Sequence, residues 1–493
     1  SRGLGDVYKR QQEKRSIRAF MLSNVMAGLE GSIVATALPA MMAELHGIKL
    51  MSWVVTIYML LMAVSSPIWT KLAERFGYKQ MFVLGTLLFT IGSLGEGLAI
   101  NMLMVIVARA LMGLGAGVMI QLPFVIYGMM YQADERRRVI GNTVAAYSFS
   151  TIAGPIVGGL IVTLLDWRWV FFINIPIGIY MAFIVWKNFD LKTDHTKKSI
   201  DFAGSASLSI AVIAIMLLFQ MMGNAVINLP LLLTLLVVSF LFFIGFYFAE
   251  KRAVDPIVPL ELFKNPSFIA KNIMFFMQYG FFGFYTNYLP TWGQGVMGAT
   301  ALVGGMVLIP SAIMLVIGTR NVNHLIQKVG EKKTIYIGFS IMVLGAIFLF
   351  SLPEHASIVM LFVAIAILGT AFGIVNITLQ VAVQESVAKH LIGAATAVNA
   401  LLRTMGTTLV LSGLSIALNR TFTEATAHNP KLTTTLLNQI SDAKALKNIP
   451  VNLIAPLRHI LFNGMHLLAL ISGLLLFIAL FVNWLDPWKK GLE

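Results

Sequence analysis

Apolar runs of roughly 20 residues recur along the whole chain, each long enough to cross a ~30 Å hydrocarbon core as a helix. "LLLTLLVVSFLFFIGF" (231–246) is one of the plainest. In lipid every backbone N–H and C=O must be satisfied internally, and helices do this segment by segment. Charged residues make up only 12% of the 493 positions, against about 25% in soluble proteins. The sequence therefore predicts an all-α polytopic membrane protein. Breaks at charge, Pro and Gly clusters divide it into about fourteen spans. The least distinct break is "LLDWRW" (164–169).

The basic residues alternate between connections. With the N-terminus in the cytoplasm, one side receives Lys71, Arg75 and Lys79, then Arg136, Arg137 and Arg138, then Lys187, Lys192, Lys197 and Lys198. The same side receives Lys251, Arg252, Lys264, Arg320, Lys328, Lys332, Lys333, Lys389, Lys489 and Lys490. The other side has Lys49 and Arg168, then Arg420, Lys431, Lys444 and Lys447 in a long 419–457 segment. This is the positive-inside pattern, which predicts both termini in the cytoplasm. It accounts for the net charge of +14 as topology, so no nucleic-acid partner is expected. Cys is absent, which removes disulfides, thiol nucleophiles and Cys-ligated metals. Neither a Walker-type phosphate loop nor H-E-x-x-H occurs, so ATP-driven pumping and zinc hydrolysis lack support. No enzyme activity, metal or cofactor is expected.

A weak internal repeat is visible. "TKLAERFGYK" (70–79) is echoed by "NHLIQKVGEK" (323–332), and two helices beyond each comes a Gly-rich stretch, "GLGAG" (113–117) and "LGTAFG" (368–373). Repeats of this kind mark secondary transporters, with sites between the halves near mid-membrane. The predicted organisation is a tail at 1–17, a six-helix bundle at 18–190 and two inserted helices at 191–263. A second six-helix bundle follows at 264–486, with a tail at 487–493. Residues 1–11, "SRGLGDVYKRQ", resemble the in-frame translation of a sequencing-library adapter and are set apart from the fold.

The motifs carry a family resemblance. "TKLAERFGYK" resembles the loop motif G-x-L-x-D-R-x-G-R-K of the major facilitator superfamily, with Thr70, Glu74 and Tyr78 as departures. "RALMGLGAG" from Arg109 resembles its fourth-helix motif, and "AGPIVGG" (153–159) its fifth-helix antiporter motif. "LEGSIVATALP", "WVVTIYML", "WRWVFFINIPIG" and "DPIVPLELFKNPSF" resemble segments of the fourteen-helix drug:proton antiporter branch. The resemblance implies the major facilitator fold, two six-helix bundles plus two inserted helices. It also implies efflux of amphipathic, often cationic, drugs, driven by the proton gradient.

Glu30 comes first among the candidate residues. A carboxylate at that depth costs several kcal/mol if ionised against lipid, so it should face the bundle interior. Glu30 lies ~18 Å along its helix, by a 1.5 Å rise per residue, and Arg109 lies ~10 Å inward from the opposite end of the fourth span. The two depths nearly coincide, which marks Arg109 as the partner, and the resemblance implies proton coupling for both. Glu96 is expected in an interfacial or vestibule setting. Glu74, Arg75, Gly77 and Lys79 are candidates for conformational gating through ion pairs, concentrated in the first motif copy because Gln327 replaces the acid in the second. Gly154, Pro155, Gly158 and Gly159 form the antiporter motif, where small residues let helices approach closely. Tyr58, Gln121, Gln278, Tyr285, Asn287, Asn376, Asn399 and Arg403 are candidates for a substrate cavity, among aromatic and Met walls that can re-pack around varied ligands. The expected partners are the lipid bilayer, small-molecule substrates and protons, and a periplasmic adaptor is left open. Export of one metabolite, antibiotic or lipid-like molecule is the same-fold alternative. A solute importer and an inactive scaffold are the others.

Overall fold

The computed structural model describes residues 2–45, 50–191, 201–222, 228–427, 436 and 449–488. Lys49, Lys192, Lys197, Lys198, Lys431, Lys444, Lys447, Lys489, Lys490 and most of the 419–457 segment lie outside the described residues. Among those described, every regular element is helical. The first group is α1 (Arg2–Leu45), α2 (Met51–Phe76), α3 (Tyr78–Gly97), α4 (Met102–Met130), α5 (Ala133–Leu164), α6 (Trp169–Phe172) and α7 (Asn174–Asn188). Next come α8 (Phe202–Met222) and α9 (Leu229–Arg252). The last group is α10 (Pro266–Thr291), α11 (Ala301–Met306), α12 (Ile309–Val329), α13 (Glu331–Phe350), α14 (Ile358–Glu385), α15 (Ile392–Ala427) and α16 (Val451–Leu485).

Nine of the described helices are long and apolar enough to cross a membrane, or ten if the two segments of bent α5 form one span. The sequence-based division into about fourteen spans also takes in α1, α3, α10 and α12. These four spend polar residues on buried contacts: Asn24 and Glu30 on α1, Ser93 and Glu96 on α3, Asn272 and Gln278 on α10, Ser311 on α12. That composition lowers their hydropathy while placing the side chains inside.

The helix contacts repeat. α1 packs on α5, α2 and α3 on α4, and α3 on α7; α10 likewise packs on α15, α12 and α13 on α14, and α13 on α16. α8 and α9 pack on each other, with α8 also touching α2 and α15. α9 is covered least and turns Leu233, Val237, Phe240 and Leu241 outward, as a lipid-facing helix would. The two motif copies occupy matching corners. Gly77 (φ 100°) joins α2 to α3, and Gly330 (φ 84°) joins α12 to α13. Both angles lie in the left-handed region that side chains with a β carbon avoid. Close approach repeats as well. A β carbon on Gly113 would lie 2.7 Å from the Tyr58 carbonyl oxygen, and one on Gly369 would lie 2.4 Å from that of Ser311.

Replacing Gly77 or Gly330 with Val should therefore cost about 1–3 kcal/mol through backbone strain. Gly159→Ala should be nearly neutral, because nothing lies within 4 Å of its added carbon. Thermal unfolding in detergent, followed by fluorescence-detected size exclusion, checks both.

Candidate functional site

Arg109 sits at the centre of a buried polar cluster. Its Nη1 is 2.9 Å from Glu30 Oε1 and its Nε is 3.3 Å from Glu96 Oε2. Glu30 and Arg109 are each 1% exposed, and Glu96 is fully buried. The guanidinium also lies 5.2 Å from the Tyr58 ring centroid and 5.5 Å from that of Phe171, at cation–π range. Asn174, at the start of α7, donates to Glu30 Oε2 at 2.8 Å and to Ser93 Oγ at 3.0 Å. Ser93 in turn donates to the Phe171 carbonyl at 2.8 Å. Arg109 Nε and Nη2, Glu30 Oε1 and both Glu96 oxygens are buried without an aligned hydrogen bond. Charge proximity more than hydrogen-bond geometry holds Arg109 to its two carboxylates.

The expected Glu30–Arg109 proximity is present. Glu96 is different: it lies inside the cluster, away from any interface or vestibule. A count of Cα rises places Glu96 well outward of Arg109. Side chains on a helix, however, lean towards its N-terminus, and α4 begins beside the end of α3 that carries Glu96. The long Arg109 stem covers the remaining distance, while α6 and α7 roof the site. Asn174 was not singled out either, although it stands in the quoted "WRWVFFINIPIG" segment.

The "AGPIVGG" stretch shapes the wall behind Glu30. A β carbon on Gly154 would collide with Ser32 Oγ at 2.0 Å, and one on Gly158 with Thr36 Oγ1 at 2.3 Å. These two glycines let α5 press against the part of α1 that carries Glu30. Gly159 faces open space and makes no such contact. Pro155 is exposed, and α5 bends by 40° between Thr151 and Ala153. The break falls where the proline, lacking N–H, cannot bond the carbonyl four residues back.

Farther along α1 and α4, a cavity of about 240 Å³ opens between the two helix groups. Asn24, Met59, Met62, Gln121, Phe124 and Tyr147 line it from the first group, and Tyr279, Phe282, Phe372, Arg403, Thr404 and Thr407 from the second. Of the eight cavity candidates, only Gln121 and Arg403 line it. Tyr58 covers Arg109 instead. Gln278 is turned to the Phe372 carbonyl at 3.4 Å, and Tyr285 is hydrogen-bonded to Ser311. Asn287 is exposed and donates to Gly283 O of its own helix. Asn376 donates to Tyr279 Oη at 2.8 Å and Asn399 to Asn272 Oδ1 at 3.1 Å. Polarity within an apolar span selected these positions. Helix rotation, which that criterion does not fix, decides which of them face the cavity.

At the end marked by Gly77 and Gly330, ion pairs join the two helix groups. Arg136 meets Glu385 at 2.9 Å and Arg137 meets Glu331 at 2.8 Å. Lys71 bridges Glu74 at 3.2 Å and Asp255 at 2.7 Å. The carboxylate of Glu74 lies against Gly393, where a β carbon would come within 2.4 Å of Oε1. Polar contacts at this end thus involve both motif copies, since Glu331 and Asn323 of the second copy both hold Arg137. The acid missing at Gln327 is supplied four residues later. Among the described residues Glu74 pairs with Lys71, on its own face one turn earlier, and not with Arg75 or Lys79. Arg75 lies 5.2 Å from the Phe76 ring and Lys79 5.3 Å from that of Trp186.

The opposite end differs. There Glu44 accepts from Trp167 Nε1 at 2.8 Å and pairs with Arg168 at 2.8 Å, all within the first group. Hydrogen bonds from Arg168 and Trp167 hold the Glu44 carboxyl below its ordinary 4.5. Among the described residues no ion pair crosses between the groups at this end.

Helices arranged as a repeated set, a buried Arg–carboxylate cluster and a central cavity between the sets define a membrane transporter. The family model for the Major Facilitator Superfamily matches residues 20–411, and the chain belongs to that family; it is a multi-pass membrane transporter, not an enzyme. It is 30% identical over 413 residues to the Multidrug transporter protein MdtP of Bacillus subtilis (strain 168), covering 83% of this chain and 76% of the relative. It is 29% identical over 402 residues to Multidrug resistance protein 3 of the same organism, covering 81% and 78%. The crystal structure of the human organic anion transporter MFSD10 superposes with a TM-score of 0.65 at 12% identity, covering 94% of this chain and 99% of that one. At that identity the likeness shows the fold alone.

Removing Arg109 strands two buried carboxylates. Arg109→Ala should cost about 3–5 kcal/mol, the penalty for breaking a buried ion pair. Adding Glu30→Gln and Glu96→Gln to it should restore most of that loss. Thermal unfolding of the purified single and triple variants at neutral pH reads the difference. Equal melting temperatures for both would remove the charge-balance account.

Proposed function

We propose that the protein exports amphipathic drugs across the bacterial cytoplasmic membrane in exchange for protons. In this reading about fourteen spans form two halves of six spans, α1–α7 with α6 and α7 as one span and α10–α16 with α11 and α12 as one, flanking the inserted α8–α9 pair. Both termini and the Gly77–Gly330 end face the cytoplasm, in keeping with the basic residues gathered there. The names of the bacterial relatives support drug efflux. The observation that carries proton coupling is one guanidinium shared by two carboxylates in a fully buried site.

Arg109 balances one negative charge. The second carboxylate, if ionised in the same buried space, adds an uncompensated charge that costs several kcal/mol. A proton taken by Glu30 or Glu96 removes that cost and leaves Arg109 paired with the other acid. The choice of acid shifts α1 relative to α3 and α4. α1 continues to Asn24 and α4 to Gln121 and Phe124 on the cavity wall, so re-pairing at the cluster reaches the substrate directly. A proton arriving from outside would loosen the outward-open complex and release substrate. Loss of that proton to the cytoplasm would reset the cycle. Proton and substrate must each prefer one of the two states, or no pumping results.

Proteoliposomes with an imposed pH gradient and a chemically varied dye panel test this reading. Glu30→Gln and Glu96→Gln, reconstituted at equal density, should each lower gradient-driven efflux by about tenfold or more, as expected for a lost coupling of this size. Undiminished efflux in Glu30→Gln would exclude it as a coupling group. A panel in which one compound alone is accepted favours the single-substrate exporter, and inward accumulation an importer.

Glu44 supplies a control. Its depressed value means that the pair with Arg168 is present above the ordinary carboxylate range and is lost only as pH falls through the lower folded value. Glu44→Gln should therefore leave the neutral-range pH profile of efflux unchanged.

A further inference from the structure

We infer that the central cavity selects organic anions: amphipathic molecules whose carboxylate or sulfonate meets Arg403 while an aromatic body lies among Phe282 and Phe372. The sequence-based expectation was often cationic substrates. The charge on the cavity wall runs the other way.

Arg403 is half-buried on the wall. Its guanidinium lies 4.3 Å from the Tyr279 ring centroid, and its Nη1 donates to Gln380 Oε1 at 3.4 Å. Among the described residues it takes part in no ion pair, and neither Asp nor Glu lines the cavity. The other buried arginines differ in this respect. Arg109, Arg136 and Arg137 each have a carboxylate within 2.9 Å. Among the described residues Arg403 is thus the one charged residue on the lining, and its contacts there, a ring stack and one long hydrogen bond to a neutral amide, leave its charge without a counter-ion.

The surroundings fix the direction of that charge. Asn376, itself 1% exposed, donates to the Tyr279 hydroxyl at 2.8 Å. Thr407, one turn beyond Arg403, donates to the Tyr279 carbonyl at 3.2 Å. The ring is held from both ends and becomes a platform for the guanidinium. Phe282 and Phe372 stack beside it with centroids 4.7 Å apart and planes 26° apart. A planar guanidinium binds carboxylate or sulfonate bidentately with charge-assisted bonds. It repels a cation placed at the same point, and solvent screening in an apolar cavity is weak. Apolar rings with one oriented cationic group are the features an aromatic anion would use.

The inference rests on the cavity being the substrate site of the proposed exporter. Its test needs no pH gradient, so the two readings can fail separately. Fluorescein, an anionic xanthene, and rhodamine 6G, its cationic ester relative, are titrated onto purified protein by fluorescence anisotropy. Wild type should bind fluorescein the more tightly. Arg403→Gln should weaken fluorescein by about 10–100-fold, the range of a charge-assisted hydrogen bond, and leave rhodamine 6G unchanged or tighter. Arg403→Lys keeps the charge and should fall between; it replaces Arg403→Gln if that variant does not fold. Tighter rhodamine 6G binding in wild type, or fluorescein binding indifferent to both substitutions, would overturn the assignment. Fluorescein binding that depends on Arg403, with no gradient-driven transport, would leave the assignment standing and defeat the proton-coupled reading alone.

Discussion

The structure depends on one guanidinium held between two carboxylates in the buried interior of the first helix group. Glu30 and Glu96 come from different helices, and Arg109 from a third, so the pairing is also a statement about how α1, α3 and α4 sit relative to one another. Desolvating three ionisable groups is expensive, and a single positive charge cannot neutralise two negative ones. A protein keeps such an arrangement where the unbalanced charge is put to use. The unaligned oxygens of Glu96 and the unaligned nitrogens of Arg109 fit a cluster that exchanges partners.

In the proposed mechanism the rest of the molecule gives that exchange a direction. Gly154 and Gly158 press α5 onto α1 beside Glu30, and the bend above Pro155 lets the same helix arrive at the other end with Arg136 and Arg137. Those arginines tie the first helix group to Glu385 and Glu331 of the second. Among the described residues, cross-group ion pairs thus gather at the Gly77–Gly330 end, and those at the opposite end lie within each group. In the proposed orientation this is a transporter closed towards the cytoplasm. The cavity of about 240 Å³ is below the ~300–1,000 Å³ of typical drug sites, so the helices must part further to take a whole drug.

Much of the fold could be read from the sequence because the bilayer imposes a simple rule of length and apolarity, and because basic loops and repeated glycines mark corresponding corners. The two matched strings carry a glycine in the same place, Gly77 and Gly330, and the positive φ of both explains why the residue recurs. The Glu30–Arg109 pair was legible from depth alone. Glu96 was not, since the lean of a long side chain along its helix moves the meeting point by about a turn. The cavity list failed for a related reason. Whether Asn376 lines a cavity or supports Tyr279 depends on helix rotation, which in a span apolar on all sides leaves no periodic trace. The crossing pairs of Arg136 and Arg137 were hidden because a basic run reads first as topology.

The central claim is that a carboxyl in the Arg109 cluster changes protonation as the transporter changes state. Infrared difference spectroscopy of the reconstituted protein, recorded as pH is stepped, observes this directly through the carboxylic-acid carbonyl band. The account predicts a pH-dependent band in wild type that is lost or displaced in Glu30→Gln or Glu96→Gln and persists in Glu44→Gln. A wild-type spectrum without such a band, or one indifferent to both cluster substitutions, would contradict it.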